Sequence, residues 1–293
     1  MVLGRLLRVP TLGPVPVLLA LLSSVLWGTS DFLGGTATRR LPGSSVVLVS
    51  QFVALLGLLP VAALTGAFTT PTSYVLPAVL AGLIGTTALG AFYNALATGT
   101  MGVVAPVASL GIVLPVAVGL AQGESPRGLQ LLGIVVAVAG VVLASGPELT
   151  GGAGLRPLLL AGYSAAGFGA VVVLVARASR GESGAVVMTL LTMRLTSVVV
   201  LAVVLLAARR RTLGVQRTDF ALLAAIGVGD VAANACYALA SRGALLSVVA
   251  VLSSLYPVVT VLLARQVHTE RLRPVQVAGV SAALAGVVLL AGG

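Results

Sequence analysis

Ten apolar runs separated by short polar breaks account for most of this chain, and they restrict its possible folds more than any other feature. Each run is about 18–25 residues long, the length that a helix needs to cross the hydrocarbon core of a bilayer. Charged residues make up only 8% of the chain, whereas a soluble domain carries about 25%. The predicted fold class is therefore an all-α integral membrane protein, located as a multi-pass protein in the plasma or inner membrane of a cell. The predicted spans are 15–36, 44–66, 74–97, 102–121, 128–145, 157–178, 184–208, 219–241, 244–264 and 274–291.

Two blocks of the sequence match each other half a chain apart, and from the glutamate onward their offset is constant at 146 residues. The matching residues are Pro115, Glu124, Gln130, Gly133 and Gly140 in the first block and Pro257, Glu270, Gln276, Gly279 and Gly286 in the second. Each half holds five predicted spans, and because five is odd the second half must cross the membrane upside down relative to the first. The sequence thus predicts two inverted five-helix repeats, 1–145 and 157–293, joined by a Gly-rich linker over 146–156.

The types of ionisable residue exclude several function classes. All 17 basic residues are arginines, and most of them flank the apolar runs, which favours membrane flanks over nucleic-acid binding. The absence of lysine excludes Schiff-base chemistry. One cysteine (Cys236) and one histidine (His268), far apart in the sequence, assemble neither a metal site nor a nucleophile with its base. We therefore expect no enzymatic activity, no cofactor and no metal.

The repeated pattern resembles that of the drug/metabolite transporter superfamily, in particular its EamA-type members with ten helices. The residues that carry the resemblance are Trp27-Gly28, Pro115, Gly123-Glu124, Gln130 and Gly133, with Pro257, Glu270, Gln276 and Gly279 in the second copy. The two copies differ in one spacing, because Pro115 precedes Glu124 by 9 residues and Pro257 precedes Glu270 by 13. The resemblance implies a carrier of small molecules, often an exporter of amino acids or metabolites, commonly driven by protons.

The arginines do not agree with the orientation that the resemblance implies, in which both termini are cytoplasmic. With a cytoplasmic N-terminus, six arginines flank the spans on the cytoplasmic side and ten on the other. This is the reverse of the positive-inside rule. Either the termini are outside or one span is misassigned.

Three ionisable side chains lie inside predicted spans, where each costs about 2.5–3.5 kcal/mol to insert and is a functional candidate. Asp230, near the middle of span 8, is a candidate proton carrier or a counter-ion for a cationic substrate. Asp31 in span 1 is a second candidate proton site, or an interfacial acid paired with an arginine. Arg194 in span 7 either binds a substrate carboxylate or neutralises Asp230, and the two roles are compatible if the pair opens during transport.

Uncharged polar and aromatic side chains extend this set of candidates. On span 8, Asp230, Asn234 and Tyr237 are spaced by four and three residues, so they share one helix face. We expect this face to line a substrate pathway, although hydrogen bonding between helices is the alternative. The substrate-pathway candidates, together with Arg194, are Trp27, Gln51, Tyr93, Asn94, Asn234 and Tyr237.

Prolines interrupt two spans at related positions. Pro106 and Pro115 lie in span 4 and Pro257 in span 9, and a proline inside a helix creates a bending point. Interrupted helices at corresponding positions of two repeats point to a transporter site, so these prolines are candidate hinges, with static kinks as the alternative. We expect the substrate to bind between spans 3, 4, 8 and 9.

These patterns favour a secondary transporter that moves a small polar metabolite, an amino acid or a drug-like compound, by alternating access. Export and proton coupling are expected. The expected partners are the small-molecule substrate, a proton or another coupling ion, and the lipid bilayer, with no nucleic acid. Both repeats lie in one chain, so a monomer suffices and a homodimer is not required. The alternative is a non-transporting membrane scaffold.

Overall fold

A computed structural model describes residues 13–98, 107–144, 154–181, 184–207, 214–267 and 273–292, and these residues contain helices and turns but no strand. Helical segments interrupted by short turns are what such apolar runs must form in lipid, because a helix satisfies its own backbone hydrogen bonds. The helices are α1 Pro14–Thr38, α2 Gly43–Leu64, α3 Val75–Thr98, α4 Val113–Ala121, α5 Gly128–Ala144, α6 Leu155–Ala178, α7 Ala185–Ala207, α8 Phe220–Gly243, α9 Leu246–Ser253, α10 Tyr256–Val267 and α11 Pro274–Gly292.

The ten predicted spans correspond to these helices. Seven helical segments are long and apolar enough to cross a membrane. Three shorter apolar helices, Val107–Ala121, Gly128–Ala144 and Pro274–Leu290, supply spans 4, 5 and 10. Span 9 consists of two helices, α9 and α10, separated by Ser254 and Leu255. The all-α integral membrane fold with ten spans is confirmed.

The helix packing repeats itself when the two halves are exchanged. Helix α1 of the first repeat corresponds to α6 of the second. Helix α1 packs on α8, and α6 packs on the corresponding helix α3. Helix α1 also packs on the two halves of span 9, α9 and α10, and α6 packs on α4 of span 4. Three further pairs, α2 with α7, α4 with α9 and α5 with α11, join equivalent helices of the two halves. Each half holds five spans, so the operation that relates the halves also inverts them across the membrane. The two repeats are therefore inverted, as the odd number of spans predicted.

The repeated glycines bring α5 and α11 into backbone contact. A Cβ atom on Gly140 would collide with the backbone of Ala283, and one on Gly279 would collide with the backbone of Ala144. Gly133 and Gly286 meet the partner helix in the same way. Small residues at a helix interface allow this close approach, which maximises packing where lipid removes the hydrophobic driving force.

A glycine also seats α10 against α1. A Cβ on Gly28 would collide with Val259 and with the carbonyl oxygen of Tyr256. The Thr260 hydroxyl donates to the carbonyl oxygen of Gly28 at 3.0 Å. Tyr256, the first residue of α10, is thereby fixed beside the middle of α1.

Spans 4 and 9, which carry the related prolines Pro115 and Pro257, depart from regular α-helix near the same position. In span 9, α9 ends at Ser253 and α10 begins with Tyr256 and Pro257. In span 4, a 3₁₀ turn over Leu110–Ile112 precedes α4, in which Pro115 is the third residue. Proline is well tolerated in the first turn of a helix, where its missing N–H has no intrahelical acceptor. Pro106 lies outside the described residues.

Glu124 connects the two repeats at the start of α9. Its carboxylate accepts hydrogen bonds from the backbone N–H of Leu246, from the N–H of Ser247 at 3.0 Å and from the Ser247 hydroxyl at 2.6 Å. These are donors that the first turn of a helix leaves without an intrahelical acceptor, and a negative charge there also complements the helix dipole. The helix that Glu124 caps therefore belongs to the other repeat. Glu270 lies outside the described residues.

Candidate functional site

Asp230 is the centre of a polar cluster inside the helix bundle. Its Oδ2 atom lies 2.8 Å from Arg194 Nη2, on the neighbouring α7. Its Oδ1 accepts hydrogen bonds from Trp27 Nε1 and from Asn234 Nδ2, both at 3.1 Å. The side chain keeps 26% of its surface accessible. The cluster therefore holds an ionised carboxylate in place and leaves part of it open to a ligand.

Arg194 is almost fully enclosed, with 2% of its surface accessible. Its Nη1 donates to Gln51 Oε1 on α2, which orients the guanidinium toward Asp230. The contact with Asp230 is a close ion pair without the alignment of a hydrogen bond, and Nε has no hydrogen-bond acceptor among the described residues. Pairing offsets the cost of burying either charge alone, so the two residues depend on each other.

Asp31 lies one helical turn beyond Trp27, on the same side of α1. Its charge interacts with that of Asp230 and with Tyr256 on α10. The residue is exposed, and its carboxylate forms no hydrogen bond or ion pair with any residue of the described ranges. Asp31 is thus an accessible carboxylate at the border of the cluster, in contrast to the neutralised Asp230.

Aromatic rings form one wall of the cluster. The ring of Trp27 lies 5.9 Å from that of Tyr237 and 6.3 Å from that of Tyr256, between centroids. Trp27 and Tyr256 are half-buried, whereas Tyr237 is fully buried and its hydroxyl has no partner among the described residues. The helix pair α3 and α6 is equivalent to the pair α8 and α1 when the two repeats are exchanged. It carries the rings of Phe92 and Phe168, whose centroids are also 5.9 Å apart.

The structure brings together five of the predicted site residues around Asp230 and separates others. Arg194, Gln51, Asn234, Trp27 and Asp31 belong to the cluster. Tyr237 shares the helix face of Asp230 but packs against Trp27 without joining the hydrogen-bond network. Asn94 is exposed, and its Nδ2 donates to the carbonyl of Gly90 within α3 at 2.9 Å. The side chain of Tyr93 lies outside the described part of the chain.

The cluster draws on different spans from those expected. It uses spans 1, 2, 7, 8 and 9, whereas we expected spans 3, 4, 8 and 9. The reason is that α8 packs on α1, while α3 packs on α6, and only the first of these pairs carries acidic residues. The buried ion pair is therefore found at only one of the two equivalent helix interfaces among the described residues.

Tyr256 is the residue that sequence reasoning missed. It sits directly before Pro257, at the break in span 9, and it is one of only five tyrosines in the chain. A bulky amphipathic residue at the broken point of a repeated span is the signal that could have identified it.

Accessibility differs between the two sides of the cluster. Every residue of α9 is buried, and Glu124 fixes the first turn of this helix to the other repeat. Tyr237, toward the same end of the bundle, is also fully buried. Asp31 lies in the second half of α1, toward the opposite end, and is exposed. The accessible side chain of the cluster therefore lies toward the Asp31 end, and the buried helix α9 lies toward the other end.

The chemical groups of the cluster limit the kinds of ligand that it can bind. In the described ranges no group of three His, Cys, Asp or Glu residues lies close enough to hold an ion. Two carboxylates, one guanidinium, an amide pair and aromatic rings can instead bind a small polar or charged organic molecule and exchange a proton.

Comparison with known proteins places this architecture in a family. The sequence matches the EamA-like transporter family over residues 15–146 and again over 155–292. No curated protein matches the chain. One solved chain, titled "Crystal structure of protein", superposes with a TM-score of 0.76 at 18% identity, covering 94% of this chain and 95% of that chain. At that identity the likeness shows the fold alone. The two family matches cover both repeats, and the chain belongs to the EamA-like transporter family.

Proposed function

We propose that this protein is a secondary transporter that carries a small polar metabolite across the membrane by alternating access. The observation that carries the proposal is the Arg194–Asp230 ion pair, 2.8 Å long, buried between membrane helices yet leaving 26% of the Asp230 side chain accessible. A scaffold gains little from such a pair, because burying two charges costs free energy that apolar packing would not.

The way the pair is built supports the proposal of proton coupling. A proton on Asp230 removes its charge, weakens the contact with Arg194 and frees the guanidinium to move with α7. Substrate binding in the same cluster changes the same contacts. Both ligands would then bias one equilibrium between two arrangements of the repeats, and this shared equilibrium is the physical basis of coupling. Asp31, next to Asp230 and accessible, is the proposed site through which protons exchange.

The breaks in spans 4 and 9 are the points at which we propose that the helices bend during transport. Span 9 is divided at Ser254 and Leu255, beside the cluster, and span 4 has its 3₁₀ turn at the related position. Bending at these points would let α9 open while the opposite end closes. We propose Pro115 and Pro257 as the hinge residues. Export is the direction proposed, across the plasma or inner membrane.

The proposal is tested by a tolerance screen in cells that express the wild-type chain or Asp230→Asn at matched surface levels. The panel contains toxic amino-acid analogues, organic cations and metabolite analogues. We expect altered tolerance to one class with the wild-type chain and loss of that effect with Asp230→Asn. The control is Asp219→Asn, an acid in the turn before α8 that pairs with Arg40 at 3.4 Å, away from the cluster.

Flux in proteoliposomes gives the deciding measurement. Purified wild-type protein should accumulate the substrate class found in the screen when a proton gradient is imposed, and Asp230→Asn should not. An equal flux in the two proteins would remove Asp230 from the mechanism. Absence of flux for every class would favour the non-transporting scaffold.

A further inference from the structure

The cluster contains more acidic than basic side chains. Arg194 is the only cation among the described residues that contacts it, and its guanidinium is occupied by Asp230 and Gln51. Asp31 adds a second carboxylate, which interacts with Asp230 and has no cationic partner in the described ranges. The cluster thus has two acidic groups and one basic group, and Asp31 is the acidic group without a basic partner in the described ranges. An acidic side chain in a membrane interior is costly without a partner, so it favours a ligand of opposite sign.

The surface beside Asp31 is aromatic. Trp27, one turn earlier on α1, presents its ring next to that of Tyr256, 6.3 Å away and tilted by 75°. Both residues are partly accessible, and Asp31, one turn beyond Trp27 on the same side of α1, is exposed. Aromatic faces attract cations through their quadrupole, and pairs or cages of such rings recognise substituted ammonium groups.

We propose that the ligand of this site is an organic cation, a protonated amine or a quaternary ammonium compound, whose charged head lies between the Asp31 carboxylate and the rings of Trp27 and Tyr256. The inference rests on the proposed transport function, whose substrate class it names. Arg194 has a separate role in this arrangement: it holds Asp230 and leaves Asp31 as the anionic contact of the ligand.

The sequence provides its own probe, because Trp27 is the only tryptophan in the chain. Its fluorescence therefore reports on the site itself. The full-length protein in lipid nanodiscs is titrated with benzyltrimethylammonium, with neutral benzyl alcohol and with anionic benzoate, which share an aromatic ring and differ in charge. We expect a saturable change of Trp27 emission with the cation and none with the other two compounds over the same concentration range.

Two variants locate the ligand. Asp31→Asn should weaken cation binding about tenfold or more, because it removes a charged contact. Tyr256→Leu should weaken it about three- to tenfold through loss of a cation–π contact. The matched control is Tyr163→Leu, which removes a half-exposed tyrosine of α6 that hydrogen bonds to Thr87. It should leave the dissociation constant unchanged.

The outcomes separate this inference from the transport proposal. Equal or tighter binding of benzoate or benzyl alcohol would overturn the organic-cation assignment, as would an unchanged affinity in both Asp31→Asn and Tyr256→Leu. Cation binding without flux of the same cation in proteoliposomes would support the site and count against transport. Flux of an anionic or neutral class that Asp230→Asn abolishes, without cation binding, would sustain transport and refute the cation site.

Discussion

The two charges at the centre of the cluster are held by different kinds of contact. Asp230 receives the Trp27 and Asn234 hydrogen bonds as well as the ion pair, whereas Arg194 contacts only Asp230 and Gln51 among the described polar side chains. Loss of either charge therefore leaves its partner in a low-dielectric environment with fewer stabilising contacts. An unpaired Arg194 should be less stable than an unpaired Asp230, because Arg194 is the more deeply buried of the two.

The residue-scale prediction concerns this dependence. Arg194→Met should destabilise the protein by about 3 kcal/mol, the lower end of the range for breaking a buried pair, because Asp230 remains partly accessible. The double variant Arg194→Met/Asp230→Asn should recover much of that loss, since no unpaired charge remains. Thermal unfolding in detergent, measured for the two single variants and the double, checks this. A loss of stability in the double variant equal to the sum of the two single losses would show that the pair is not coupled.

At the scale of elements, glycine decides how closely helices approach. Gly279 on α11 has the backbone of Ala144 where a side chain would be, whereas a Cβ on Gly57, in the middle of α2, meets nothing within 4 Å. Gly279 therefore allows close helix contact, whereas Gly57 does not lie at such a contact. Gly279 belongs to the glycine pattern that recurs in both halves of the sequence, and Gly57 does not.

Gly279→Ala should cost about 1–3 kcal/mol, because the added methyl forces α11 away from α5. Gly57→Ala should be neutral or stabilising by about 0.5–1 kcal/mol, since alanine is the better helix former. Unfolding temperatures of the two variants in one detergent provide the comparison. Similar values for both would contradict the close contact between α5 and α11.

At the scale of the whole molecule, the confirmed spans remove one of the two explanations for the arginine distribution. The helices alternate in direction: the start of α1 lies near the end of α8, where a Cβ on Gly243 would meet Pro16, and Arg40 beyond α1 pairs with Asp219 before α8. The ten arginines that flank the spans at the Arg40 end, and the six at the end that holds the termini, are therefore on opposite sides of the membrane.

The positive-inside rule predicts that the Arg40 end is cytoplasmic and that both termini are outside. A reporter that is active only outside the cytoplasm, fused after Gly293, should be active, and one fused in the linker over 146–156 should not. The variant Arg40→Cys in a Cys236→Ser background has a single cysteine. In intact cells this cysteine should not react with a thiol reagent that cannot cross the membrane. The opposite labelling pattern would show that another determinant sets the orientation.

The amino-acid sequence by itself determined the number of spans, the two inverted repeats and the identity of the ionisable residues inside the membrane. It did so because lipid offers no hydrogen bonds, so apolar runs of sufficient length must become helices and each buried charge must have a use. Asp230, Arg194 and Asp31 were identified in this way.

Only the tertiary structure decided which of these residues meet. Spans far apart in the sequence can pack in many ways, and the acids of α1 and α8 came together because those two helices form one of a pair of equivalent interfaces. Tyr256 joined the cluster and Asn94 did not, since each position depends on how the broken span 9 and α3 are packed. Periodicity along one helix identifies a polar face, but the neighbour of that face is determined by packing over the whole bundle.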